Sequence, residues 1–201
     1  MGVSETLVGY PFLTAKVRYQ NGQRLPRSLS GYYRGVRYPL CGSVAFNTVA
    51  FGVHDRTQSV LGHGGAGVLS GVLVTPQVFC VDTLAVTRQT NQAVRWELLT
   101  RPNGLPMTLA RETVALGVYF ESYFRAREHV SSVWAGGFAG LCNWTMSYPL
   151  DVLRTRQMAQ RVSVREAWSQ GSLWRGFGVV ALRAVLVNAV SFTVYEKVSS
   201  V

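Results

Sequence analysis

The chain has 201 residues, of which 48% are apolar and only 15% charged, yet its formal net charge is +10. A soluble protein of this charge usually binds nucleic acid through basic residues clustered on one face. Here the charges fall in blocks between weakly charged stretches of about twenty residues, the length that crosses a bilayer. Composition therefore disfavours a soluble nucleic-acid binder and favours a membrane protein whose connections carry the charge.

The residues that usually build enzyme or metal sites show no useful spacing. The three cysteines are odd in number and lack metal-ligand spacing, and the three histidines, His54, His63 and His129, are expected to stand apart. A glycine-rich run after His63 lacks the Gly-Lys-Ser/Thr ending of a phosphate loop. We therefore predict no enzyme activity, no cofactor and no metal site.

In chain order, apolar stretches predict six long helices, two in each of three repeats. The first repeat spans residues 1–60, the second 61–129 and the third 130–201, together forming one domain. The helices are predicted over residues 2–19, 38–58, 62–86, 105–127, 131–156 and 176–198. Glycines four residues apart, Gly67/Gly71 and Gly136/Gly140, are expected to let neighbouring helices approach closely in lipid.

The repeat is visible as matches at a constant offset of 69 residues. Pro11, Cys80 and Pro149 keep this offset. So do Lys16, Ala85 and Arg154. The later matches of the third repeat are shifted by three residues, which indicates a small insertion. So many coincidences at one offset indicate a repeated two-helix unit.

Topology follows from the basic residues. Fourteen of the twenty lie in the segments 16–37, 88–101 and 154–175, which connect the two helices of each repeat. By the positive-inside rule, these connections share one side of the membrane, and six spans place both termini on the other side.

The third repeat carries the most specific signature. It reads Pro149-x-Asp151-x-x-Arg154-x-Arg156, then Trp174-Arg175-Gly176. This resembles the motif of the mitochondrial carrier family, and the resemblance covers essentially the whole chain. It implies an all-α membrane protein with six transmembrane helices in three pseudo-symmetric two-helix repeats. The matrix connections are shorter than the family's, with little room for its surface helix. The stretch from Leu109 through Arg111-Glu112 to Phe120 resembles the carnitine and basic amino-acid carrier branch.

In that family, an acid on each odd-numbered helix pairs with a base on the next odd-numbered helix and closes the path towards the matrix. Transferred by position, the resemblance implies that Asp82 pairs with Arg154 and Asp151 with Lys16. The third pair becomes Leu13 with Ala85, so both of its charges are missing. A lone charge inside a membrane costs about 2.5–3.5 kcal/mol on insertion scales, so losing both partners is tolerated better than losing one.

The resemblance also implies a cytoplasmic gate. Asp55 would pair with Arg127, and Glu196 would accept a hydrogen bond from Gln58 in place of an ion pair. In the alternative interpretation, these are ordinary interface charges that extend towards water.

Two arginines, Arg111 and Arg183, fall in the middle of predicted spans, where an ionisable residue is a functional hypothesis by default. By the repeat they occupy equivalent positions, with Gly42 as the third, and the resemblance makes these the substrate contact points. Arg183 suits a carboxylate, and Arg111 with Glu112 suits a carboxylate and a positive group together. In the alternative interpretation, Arg111 and Glu112 form only a structural ion pair.

The resemblance implies transport of an amino acid or carnitine-like zwitterion across the mitochondrial inner membrane by alternating access. The implied partners are the small-molecule substrate and the lipid bilayer, including cardiolipin, and the expected state is a monomer. Two alternatives stay open: a non-transporting scaffold or regulator built on a carrier fold, and another organelle, such as the peroxisome.

Overall fold

A computed structural model describes residues 3–94 and 103–181, and helices without strands make up the regular structure of these residues. The helices are α1 (Val3–Gln20), α2 (Leu29–Tyr32), α3 (Arg37–Gln89), α4 (Leu105–Arg127), α5 (Ser132–Gln160) and α6 (Val164–Ser169). The predicted all-α class is confirmed for this part of the chain. The predicted last helix lies largely outside the described residues, as do Arg183 and Glu196.

Helix α3 is two helices joined at Gly62. Gly62 has φ 68° and ψ 172°, a conformation that breaks the helix and suits a residue without a Cβ. The arm before Gly62 (α3N) and the arm after it (α3C) run antiparallel, because Ser70 Oγ donates to Ala50 O (2.9 Å) and Gln77 Nε2 donates to Gly42 O (2.6 Å). The two separate helices predicted here are therefore present.

Among the described residues, one helical segment, Leu29–Gln89, is long and apolar enough to cross a membrane, with a mean hydropathy of 1.6 in its most apolar window. A buried helix of a soluble protein passes the same test. The arrangement of six spans therefore stays a prediction.

Helix α3C packs closely against α4 through glycine. A Cβ at Gly67 would lie 2.5 Å from Leu116 O, and one at Gly71 would lie 2.6 Å from Glu112 O. Only glycine allows this approach, as predicted for this pair. A Cβ at Gly136 or Gly140 would meet no atom of the described residues within 4 Å.

Helices α1, α3C and α5 converge at their C-terminal ends. Their apolar side chains share one buried cluster, formed by Val17, Phe79, Val86, Met158 and Ala159. Each of the three helices contains a proline, Pro11, Pro76 or Pro149, and an internal proline bends a helix. The bends and the cluster bring the charged residues of three distant chain segments to one end of the bundle.

The repeats share a local geometry after these helices. Gly35, Gly104 and Gly176 have φ of 87°, 97° and 88°, in the left-handed region that glycine adopts without strain. Tyr10 donates to Arg34 O (3.0 Å), and Tyr148 donates to Arg175 O at the same distance. The three glycines thus adopt similar conformations, and two of the three turns share the tyrosine hydrogen bond.

Two of the connections contain short helices that the sequence analysis did not allow for. Helix α2 has four residues and α6 has six. Helix α6 begins with a capping box, in which Ser163 and Glu166 satisfy each other's backbone N–H groups. The hydrogen bonds from Ser163 lower the pKa of Glu166, because they favour the carboxylate. The shortened connections therefore still hold about one turn of surface helix.

Candidate substrate site and its ion pairs

Two ion pairs join the converging ends of the bundle. Lys16 Nζ on α1 lies 2.5 Å from Asp151 Oδ2 on α5, and both side chains are almost fully buried. Arg154 Nη2 on α5 lies 2.8 Å from Asp82 Oδ2 on α3C. These are the two pairings that the family resemblance implies. Each connects different thirds of the chain.

The third position of this ring is uncharged. Leu13 lines the cavity above the ion pairs, and Ala85 is buried. Because neither residue carries a charge, the ring lacks one ion pair without leaving a charged partner stranded.

Arg154 extends the two pairs into one network. Its guanidinium also lies 3.4 Å from Asp151 Oδ1 and 3.3 Å from Glu112 Oε1. Glu112 Oε1 in turn accepts a hydrogen bond from Arg111 Nη1 at 2.5 Å. Arg111 and Glu112 are therefore joined through Arg154 to the two ion pairs. Three bases and three acids form one connected group, whose charges balance.

Gln20 is hydrogen-bonded to this network. Its Nε2 donates to Tyr148 Oη (3.3 Å) and to Asp151 Oδ2 (3.5 Å), and the side chain is 1% exposed. The sequence analysis assigned Gln20 no site role. The sequence feature that could have indicated a role is the match of Gln20 to Gln89 at the 69-residue offset.

A cavity of about 340 Å³ opens above the network and contains seven of the predicted site residues. These are Lys16, Gly42, Asp82, Arg111, Glu112, Asp151 and Arg154. Apolar groups such as Phe46, Val78 and Val81 line the remaining wall, next to Ser43, Asn47 and Gln77. The volume lies within the range of small-molecule sites, which combine apolar walls with a few polar groups.

Gly42 has a steric role in this wall. A Cβ at position 42 would lie 2.8 Å from a methyl carbon of Val81, so a side chain would force α3N and α3C apart. Its carbonyl accepts the hydrogen bond from Gln77. Gly42 therefore allows α3N and α3C to lie close together at the wall of the cavity.

Glu112 has one carboxylate oxygen without a hydrogen-bond partner among the described residues. This oxygen, Oε2, is buried. Leaving a buried acceptor unpaired costs about 1–3 kcal/mol, and more for a charged group. A positively charged ligand group in the cavity would remove this cost.

Trp144 is a cavity residue that the sequence analysis missed. Lys16 Nζ lies 5.0 Å from its ring centroid, and Arg111 Cζ lies 5.7 Å from it. Both distances suit cation–π contact. The available signal was spacing, because Trp144 lies two helical turns before Asp151 on the same face of α5.

Of the predicted cytoplasmic gate, the described residues include the Asp55–Arg127 pair, which is not formed. Within the described residues, Asp55 makes no ion pair with Arg127; its side chain is 72% exposed and lies 3.5 Å from His54 Nδ1. Arg127 is also exposed, as expected if the outer ends are apart while the inner ends meet. The Glu196–Gln58 contact lies outside the described residues, because Glu196 does.

A larger hollow, of about 760 Å³, lies between Tyr19, Trp168 and the segment 171–175. It is broad and open, and it does not include the ion pairs. The smaller cavity, which combines enclosure with charge, is therefore the candidate substrate site.

Comparison with known proteins extends the resemblance. The family model described as mitochondrial carrier protein matches residues 125–201. The mitochondrial arginine transporter of Arabidopsis thaliana is 27% identical over 260 positions, covering 97% of this chain and 86% of the relative. The human mitochondrial basic amino acids transporter is 29% identical, covering 95% and 84%. The mitochondrial ornithine transporter 1 of Schizosaccharomyces pombe is 24% identical, covering 93% and 81%.

These alignments also show that this chain is shorter than its relatives within the aligned region. The alignment with the Arabidopsis protein runs over 260 positions, whereas this chain has 201 residues. The relative therefore contains segments inside the aligned region that this chain lacks. This agrees with the short connections seen here.

Proposed function

Because the chain belongs to the mitochondrial carrier family and so to the inner membrane of the mitochondrion, we propose that it transports a cationic or zwitterionic amino acid by alternating access. In this proposal six helices, two from each repeat, surround the path. The similar turns at Gly35, Gly104 and Gly176 support three equivalent repeats.

The network Lys16–Asp151 and Asp82–Arg154 is proposed to be the matrix-side gate. Both pairs are formed beside the cavity, and Asp82 is the one member that is partly exposed, while Asp55 and Arg127 at the opposite ends are unpaired with each other and exposed. This combination fits a state that is closed towards the matrix and open on the other side. In the alternate state, the two networks would exchange roles.

The observation that carries the substrate class is that Glu112, which lines the cavity with Arg111, has one oxygen without a hydrogen-bond partner among the described residues. A carboxylate with one uncommitted oxygen suits an ammonium or guanidinium group. Arg183 is proposed to bind the substrate carboxylate, as its repeat position implies. The relatives are named as transporters of arginine, ornithine and basic amino acids, which supports an amino acid with a basic side chain over a carnitine-like zwitterion.

Uptake into liposomes tests this function. Purified protein is reconstituted and offered arginine, ornithine, lysine, carnitine, a dicarboxylate and a nucleotide. Arginine, ornithine or lysine should be taken up, and Glu112→Gln should raise KM for them about 10-fold or more, since it replaces a charge-assisted contact worth about 1.5–3 kcal/mol. Glu121→Gln, on the same helix but outside the cavity, is the control and should keep the KM.

Two outcomes would contradict the proposal. If folded protein took up only the dicarboxylate or the nucleotide, the assigned substrate class would be wrong. If it took up none of the compounds, a non-transporting scaffold would replace transport as the better account.

A further inference from the structure

Two of the three histidines meet across the break in α3. Nδ1 of His63 lies 3.4 Å from Nε2 of His54, and Gly62 lies between them in the chain. The expectation that these histidines stand apart is wrong, because the antiparallel fold of α3N and α3C brings them together. The pair lies at the opposite end of the bundle from the ion-pair network.

The surroundings of His54 set which nitrogen carries a proton. The Asp55 carboxylate lies 3.5 Å from His54 Nδ1. A carboxylate only accepts hydrogen bonds, so it favours the proton on Nδ1 and leaves the lone pair of Nε2 directed at His63. A carboxylate behind a histidine is the usual support of a metal-binding imidazole.

Both rings are held in place by phenylalanines of α4. The His63 ring stacks on Phe124 with centroids 3.7 Å apart, and the His54 ring stacks on Phe120 with centroids 3.9 Å apart. His54 is 1% exposed, whereas His63 is only partly buried. The pair is thus rigid, and an ion can reach it from the His63 side.

We propose that His54 and His63 form a binding site for a borderline divalent metal ion such as Zn²⁺. Two nitrogen ligands at about 2.0–2.1 Å from a tetrahedral zinc ion lie about 3.4 Å from each other. The observed distance between the facing nitrogens has this value. The ion would replace the proton shared by the two rings, and His63 would present the lone pair of Nδ1.

The site has two protein ligands. Among the described residues no third histidine, cysteine or acid completes it, so water fills the remaining positions. The nearby Glu121 is already used, since it accepts from Gly64 N (2.9 Å) and pairs with Arg125 (2.7 Å). Binding is therefore reversible, in contrast to a permanent structural zinc site.

Bound metal would join α3N to α3C next to α4, at the end that must move when access alternates. We expect it to slow transport. This consequence rests on the proposed function, whereas the binding itself does not. The two are separated by measuring binding on the purified chain and inhibition in liposomes.

Thermal unfolding of the purified chain with added Zn²⁺ tests the site. At a Zn²⁺ concentration of about 100 Kd, Tm should rise by about 5–10 °C. His129→Gln, which removes the third histidine, should keep this shift, and His63→Gln should abolish it. Asp55→Asn should weaken binding about 10-fold, because it removes the support of His54.

A second measurement needs no variant. Diethyl pyrocarbonate modifies accessible histidines, and mass spectrometry identifies the modified residue. Zn²⁺ should protect His63 and leave the modification of His129 unchanged. The proposal is overturned if Zn²⁺ gives no shift and no protection, or if His63→Gln keeps the shift. Binding without inhibition in liposomes would retain the metal site and reject its effect on transport.

Discussion

Lys16 and Asp151 are separated by most of the chain, yet their charged atoms lie 2.5 Å apart in the buried end of the bundle. This contact joins the first repeat to the third, as Asp82 and Arg154 join the second to the third. Residues from three distant parts of the sequence therefore form one charged network beside one cavity. The candidate site exists only because the repeats assemble in this way.

The glycine of the aromatic-Arg-Gly turn gives a first prediction. Gly176 has φ 88°, and a Cβ there would also lie 3.2 Å from Tyr148 Oη. Gly176→Ala should lower the free energy of unfolding by at least about 1 kcal/mol and Tm by about 2–4 °C. Differential scanning fluorimetry in detergent measures this change.

Gly178→Ala is the matched control, because Gly178 lies two residues away and its Cβ would meet no described atom within 4 Å. Equal losses of Tm in the two variants would show that the turn does not require glycine.

The contact between α3C and α4 gives a second prediction. A methyl group at Gly71 would press on the backbone of Glu112 and move the carboxylate that faces the cavity. Gly71→Ala should cost about 1–3 kcal/mol of stability through overpacking and should also raise KM. Tm and liposome uptake measure the two effects. Gly52→Ala, where a Cβ meets no described atom within 4 Å, should change neither. If Gly71→Ala lowered Tm but left KM unchanged, the contact between α3C and α4 would not position Glu112 for substrate binding.

Trp144 gives a third prediction. Its ring lies near the charged groups of both Lys16 and Arg111, so it orients two bases in the cavity. Trp144→Leu removes both cation–π contacts, worth about 0.5–2 kcal/mol each, and should raise KM. Trp144→Phe keeps an aromatic face and should retain most of the affinity. If Leu and Phe gave the same KM, the ring would act only by filling space.

The parts of this structure that could be predicted are those set by backbone periodicity. Apolar stretches placed the helices, and the 69-residue offset made Lys16, Ala85 and Arg154 equivalent, because the position along a helix is fixed by residue number. The pairing of Lys16 with Asp151 was implied by the resemblance to the carrier family. The contact of Glu112 with Arg154 was missed, since it depends on how far α4 lies from α5 and on side-chain rotamers. The His54–His63 pair was missed for another reason. It depends on the antiparallel fold at Gly62, which brings together residues that spacing alone keeps separate.

The joint absence of charge at Leu13 and Ala85 gives a fourth prediction, which concerns the central claim. At this position both charges of the ion pair are absent, so neither partner is left as an unpaired buried charge. Removing both charges of an existing pair should therefore destabilise the protein less than removing one of them. Lys16→Met and Asp151→Asn each leave a buried charge without its main partner, and each should cost about 3–5 kcal/mol.

The double variant Lys16→Met/Asp151→Asn is therefore the most direct measurement. Tm and the free energy of unfolding are compared for the chain, the two single variants and the double variant. We predict a double variant at least as stable as either single variant, which corresponds to a coupling energy of about 3 kcal/mol or more. Strictly additive losses would show that Lys16 and Asp151 do not interact, and would contradict the ring of cross-repeat ion pairs on which this account rests.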